Sequence, residues 1–327
     1  MTSGSYADQQ GPGYFLTRIR PYSVRFTGAM TEQMQLPDPP MFSDDQIRRC
    51  RESGDFMPML FEWYKFVSHL CIIFALIKSE SPAVRDLPPI QYSVLTGLLN
   101  RCSRLMLANL ALSHNGCFGE TTALLDRCIF ESCVKIMWLC QKGTDDAFRR
   151  YLADGLKTEV ELLSEILGNI ADREENRVLV IERRMLNSIK RHMALAGLTE
   201  DEISKIKKMP NIAAMISDLG DQRLVYVVGQ RLGSHHVHGT WPSLLMHYLE
   251  EEDGSLVLRD HDCHTHPNQF VMVPLLVLSA MAAYIGFIFD STEVIEPMKG
   301  LLVSVKQEIL QINDEMAEGD FNAELEI

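Results

Sequence analysis

Between Val271 and Phe289 the chain runs for 19 residues without a charge (VMVPLLVLSAMAAYIGFIF), and whatever this chain folds into must hide that segment from water. A stretch of this length is enough to cross a bilayer. Its flanks lack the Lys and Arg asymmetry of a membrane span, with Pro267 and Asn268 before it and Asp290 after it. Ser279, Ala280, Ala282, Ala283 and Gly286 are small residues suited to close helix packing. The reading is therefore a helix buried on all sides in a large helical domain, with no membrane partner.

The remaining periodicity is helical almost throughout. Ser43 opens a segment that continues to about Ile77, and Pro89 one that runs to Ser113. Helices follow over 120–141, over 145–169 behind a Thr144 cap, over 173–195, and over 199–208 with Thr199 and Glu202 at capping-box spacing. A helix over 221–238 stops at Gly239 and restarts near Pro242. Asp253-Gly254 in YLEEEDGSLVLRD suits a type I′ turn and predicts one small β-hairpin. The expected fold is all-α: a multi-helix bundle over 45–316, a flexible N-terminal arm over 1–44 rich in Gly, Pro, Ser and Gln, and an acidic tail over 317–327.

Of 327 residues 46% are hydrophobic, which supports a sizeable core, and the net charge of −13 argues against broad binding to a nucleic-acid backbone. Local basic groups remain at Arg183, Arg184, Lys190 and Arg191 and at Lys205, Lys207 and Lys208. The eight cysteines form no C-x-x-C pair, and residues 1–15 have no apolar export segment. Both features fit a reducing cytoplasmic setting.

Chemistry concentrates elsewhere: seven of the ten histidines fall between His235 and His266. In RLGSHHVHGTW, Arg231, Ser234, His235 and His238 follow helical i, i+3, i+4, i+7 spacing, so they share a face while His236 points away. A guanidinium, a hydroxyl and imidazoles on one face suit an anion and a moving proton. The same residues serve equally as structural histidines bonded to backbone and carboxylates. On the helix over 120–141, Arg127 and Glu131 lie four residues apart along a stripe with Glu120, Leu124 and Trp138. They read either as an internal ion pair that fixes packing or as supporting groups for a substrate in a cleft shared with the histidines. The loop HDCHTH offers His261, Cys263, His264 and His266 as metal ligands for a hydrolase. No established ligand spacing is present, and no metal or other cofactor is expected.

The helix ALLDRCIFESCVKIMWL, with Arg127 and Glu131, and the later Ser234-x-x-Val237-His238-Gly239 resemble an uncharacterised all-helical bacterial family known only as a domain of unknown function. The likeness spans roughly residues 95–290, marks Arg127, Glu131, Ser234 and His238, and implies a cytoplasmic helical domain with no assigned activity. Arg231 followed by His236 and His238 also resembles the HEPN superfamily of helical ribonucleases and nucleotide-binding proteins, although Leu232 stands where that superfamily carries a polar residue. That resemblance implies metal-independent RNA cleavage in a defence or toxin system, with Arg231 on the phosphate, His238 moving the proton and the site completed in a homodimer. The alternative is a non-catalytic helical interaction module whose Arg/Glu and His pairs are structural.

Overall fold

The computed structural model describes residues 21–23, 35–114, 118–259 and 263–324, with side chains described for 36–114, 118–259 and 263–317. The arm expected over 1–44 lies mostly outside these residues. Within it, β1 (Pro21–Ser23) pairs antiparallel with β2 (Gln35–Pro37), a pairing that the sequence reading did not contain.

Ser43 caps α1 (Asp44–Ser53) with a complete capping box to Gln46. The helix expected to run on to Ile77 breaks at Gly54, whose φ of 70° is one that side-chain-bearing residues rarely adopt. The chain restarts as α2 (Met57–Ala75) with Pro58 in its first turn. Next come α3 (Pro89–Ser113) and α4 (Gly119–Lys142), the latter ended by Gly143 in the left-handed conformation.

Then α5 (Asp145–Ala171) starts on the Thr144 cap, a 3₁₀ turn covers Glu174–Asn176, and α6 (Val180–Ala196) begins seven residues later than the 173 expected. After α7 (Glu200–Lys205) and α8 (Ile212–Asp218), α9 (Arg223–Tyr226) runs through a π-turn at Val227–Leu232 into α10 (Gly233–His238). Beyond Gly239 lie α11 (Trp241–His247) and the predicted hairpin, β3 (Leu249–Glu252) against β4 (Ser255–Leu258), turning at Asp253 and Gly254, both with positive φ. The uncharged segment is α12 (Pro267–Ile288). The last helix, α13 (Thr292–Glu324), continues eight residues past Met316 into the acidic tail.

The fold is all-α with a small antiparallel hairpin, and its core is built where α2, α3, α4 and α12 pack together. Leu60, Leu70, Leu95, Leu99, Ile129, Ile136, Val277 and Met281 are wholly enclosed there. Removing that apolar surface from water, at about 25 cal/mol per Å², is the main force holding these four helices together. Helix α12 is the one described helix long and apolar enough to cross a bilayer, and 61% of its central window is buried inside the protein. It is not enclosed on all sides as expected: Met272, Ser279 and Gly286, seven residues apart, form an exposed line. A smaller apolar cluster of Leu163, Ile166 and Ile189 joins α5 to α6.

Candidate functional site

The face of α4 that carries Glu120, Arg127 and Glu131 is covered by the helical segment from the π-turn to α11. Two glycines let the π-turn approach. A Cβ on Gly229 would lie 2.1 Å from the Phe130 ring, and one on Gly233 would lie 3.2 Å from the Cβ of Arg127. Between them Gln230 is buried, and its Nε2 donates to Glu131 Oε1 at 2.8 Å.

Arg127 and Glu131 are 3.5 Å apart, both partly buried, and Lys135 lies 3.9 Å from the same carboxylate. Structurally this is a packing pair beneath the π-turn; among the described residues no hydrogen bond joins it to a histidine.

A π-turn holds more residues per turn than the α-helix on which the expected face of Arg231, Ser234, His235 and His238 was drawn. With the two glycines and Gln230 turned to α4, Arg231 and His238 are exposed, and so is Val237. Ser234 and His235 are half-buried and already engaged. The Ser234 hydroxyl donates to the Gln230 carbonyl at 2.8 Å, and His235 Nδ1 meets Thr240 Oγ1 at 2.7 Å, tying down the helix end before Gly239. The expected four-residue site thus reduces to two exposed groups, Arg231 and His238.

The histidine set aside as pointing away is the one turned inward. Ser243 is fully buried and its hydroxyl donates to Glu120 Oε1 at 2.6 Å, while Tyr248 donates to Glu120 Oε2. With its single proton spent on a carboxylate, the Ser243 oxygen accepts from His236 Nδ1 at 3.3 Å, which fixes the tautomer of that ring. The His236 ring meets His247 edge-on at 4.9 Å between centroids, and His247 Nδ1 lies 3.0 Å from Cys263 Sγ.

Burial opposes ionisation of Glu120, but the Ser243 and Tyr248 hydroxyls, with His247 and His236 nearby, bring its carboxyl below the ordinary value. Burial holds both imidazoles low. At His236 the neighbouring His247 adds to this and Glu120 opposes it; at His247 Glu120 again opposes while Arg259 adds. The bond to Glu120 raises the Tyr248 phenol.

Glu120 was legible as part of a helical stripe, but nothing in local spacing announced Ser243, His247 or Tyr248 as its partners. They reach it across more than a hundred residues.

The described part of the HDCHTH loop, residues 263–266, is clamped by its backbone. Gly119 N donates to the Cys263 carbonyl at 2.8 Å, and a Cβ on Gly119 would lie 2.5 Å from the His264 carbonyl oxygen. Thr265 sits between Ser113 and Thr122, at 3.0 and 3.1 Å between hydroxyl oxygens. His266 caps α12 by accepting from Asn268 N at 3.2 Å, and His264 is exposed. His261 lies outside the described residues. Among the described residues no three His, Cys, Asp or Glu side chains are grouped to hold a metal ion.

A model of a family of unknown function (DUF5677) matches residues 92–256, just over half of the chain, from the start of α3 into β4. The match takes in Arg127, Glu131, Ser234 and His238 and ends before α12, short of the 290 expected. No curated protein matches the chain, and no solved structure does. The HEPN likeness gains no support from these comparisons.

Proposed function

The chain belongs to the family of unknown function DUF5677, and we propose that it is a helical interaction module that self-associates through the face built from α9 to the β3–β4 hairpin. The observation that carries this reading is apolar exposure. Leu224, Val228 and Leu232 expose 64%, 47% and 50% of their surface at four-residue spacing, followed by Val237, Trp241, Met246, Tyr248 and Leu258. Their apolar neighbours Val225, Leu244, Leu245 and Leu256 are exposed as well, and a stable complex of standard size covers roughly 800 Å² on each partner.

A second copy is the occupant that the charges favour. The face carries exposed Arg223 and Arg231 as well as the acidic Glu251, Glu252 and Asp253, and a two-fold axis passing between the two groups sets unlike charges against each other. Leu224→Asp and Leu232→Asp, examined by light scattering on a sizing column, should yield monomers from a wild-type dimer. A wild-type monomer sinks the reading.

A second reading is favoured by the position of Arg231 and His238, exposed on the segment that self-association would bring together. It is a metal-independent ribonuclease or nucleotide-binding effector completed in the dimer, serving a defence or toxin system in a bacterial cytoplasm. Arg231 would hold the non-bridging phosphate oxygens. The ribose 2′-oxygen bonds to phosphorus as the bond to the 5′-oxygen breaks; one neutral His238 takes the 2′ proton, and a protonated His238 from the second copy gives one to the leaving oxygen. Cleavage of mixed RNA in excess EDTA, lost in Arg231→Ala and His238→Ala dimers, supports it. Absence of cleavage, or cleavage unchanged in both variants, removes it and leaves the interaction module standing.

A further inference from the structure

Beside the π-turn a cleft of about 300 Å³ opens between α4, α5 and α8, and it meets a second of about 450 Å³ between α5 and α6 at Lys135, Asp154 and Met209. Gln230 lines the first cleft and is only 9% exposed. Its amide orientation is dictated by Glu131: a carboxylate only accepts, so Nε2 must face it, which leaves Oε1 as the free end. That oxygen is buried without a hydrogen-bond partner. Asp154 Oδ1, at the junction of the two clefts, is also buried with no hydrogen bond, and the Lys157 ammonium is 3.9 Å away. Lys135 reaches Glu131 only at 3.9 Å. Buried polar atoms nearly always find partners, and an orphaned amide oxygen together with a carboxylate oxygen held only by a 3.9 Å ion pair, on two residues that line one cleft beside a loosely paired ammonium, are a pattern that a ligand completes.

We infer that the joined clefts bind a small zwitterion with an apolar body, namely an apolar α-amino acid. The unmet acceptors, Gln230 Oε1 and Asp154 Oδ1, call for an N–H donor, which the ammonium supplies. Lys135 calls for an anion, which the carboxylate supplies. Leu152, Leu156, Leu195 and Met209 line the larger cleft and take the side chain. The Arg127–Glu131 pair acts here at one remove, holding the carboxylate that orients Gln230. This site depends neither on self-association nor on Arg231 and His238, so it stands or falls separately from both readings above.

Isothermal titration of the full chain with L-leucine and L-phenylalanine tests it. At least one should bind saturably with a Kd of about 1 mM or tighter. Binding should weaken about tenfold or more for 4-methylpentanoate, which lacks the ammonium, and for leucinamide, which lacks the carboxylate. The same loss is expected in Lys135→Met and Asp154→Asn, whose folding circular dichroism checks. No saturable heat with either amino acid, or affinities that the truncated probes and both folded variants leave unchanged, would overturn the assignment.

Discussion

Gly229 stands so close to Phe130 that a Cβ at position 229 would lie 2.1 Å from the ring's Cε2 atom, and the π-turn rests on α4 because that Cβ is missing. Any side chain there must push Phe130, itself 7% exposed, out of its place or lift the turn away. Gly229→Ala should cost about 1–3 kcal/mol, as overpacking does. Gly168 is a helical glycine with open space around it, so Gly168→Ala should be neutral or stabilise by up to about 1 kcal/mol. Urea denaturation of the two variants checks the contrast; equal effects would mean the contact at position 229 is not a close one.

The Glu120 cluster gives stability a defined slope with pH. Glu120 titrates below its ordinary value in the folded chain, so its contribution is present above the unfolded pKa and is lost as pH falls through the folded one. His236 and His247 are held low, chiefly by burial, so the unfolded chain binds their protons first as pH drops below about 6.5. All three therefore lose stability in the same direction, from about pH 7 downward. His236→Asn should flatten the upper part of that slope. An unchanged slope would place His236 outside the cluster.

Asp126 behaves in the opposite sense. Half-buried beside Asn109, its carboxyl is pushed up to about 8 by the loss of water around it, with the Asn109 amide partly opposing. An acid raised in the folded state binds its proton more tightly there than in the unfolded chain, so stability declines as pH climbs from about 4 to about 8. Asp126→Asn, which carries no charge to bury, should gain on the wild type as pH rises. Denaturation midpoints at about pH 5 and about pH 9 decide it: a difference between variant and wild type that does not widen at the higher pH contradicts the raised carboxyl.

Much of the fold was legible because helix boundaries here are written in local chemistry. Pro89, Thr144 and the Thr199–Glu202 box each placed a helix start within a residue or two of where it lies. Gly54 was passed over because a lone glycine within a helical pattern is often tolerated, and only its positive φ reveals a break. The site was less legible because its geometry depends on a π-turn. The helical wheel that joined Arg231 to Ser234, His235 and His238 assumes a constant number of residues per turn, and Val227–Leu232 departs from it. The wheel did separate His236 from Arg231; what it could not supply was the partner on the other side, Ser243 and Glu120, since long-range pairing leaves no periodic trace.

The apolar face from Leu224 to Leu258 is the surface that we propose a second copy of the chain covers. Sedimentation equilibrium of the wild type beside Val228→Asp decides between a covered and an open face, because Val228 is 47% exposed at the middle of the leucine stripe. The wild type should fit a dimer with a Kd of about 10 μM or tighter. Val228→Asp should sediment as a folded monomer, a buried unpaired charge being costly at the interface. A wild type that remains monomeric at about 100 μM, or a Val228→Asp dimer as tight as the wild type, would contradict the claim.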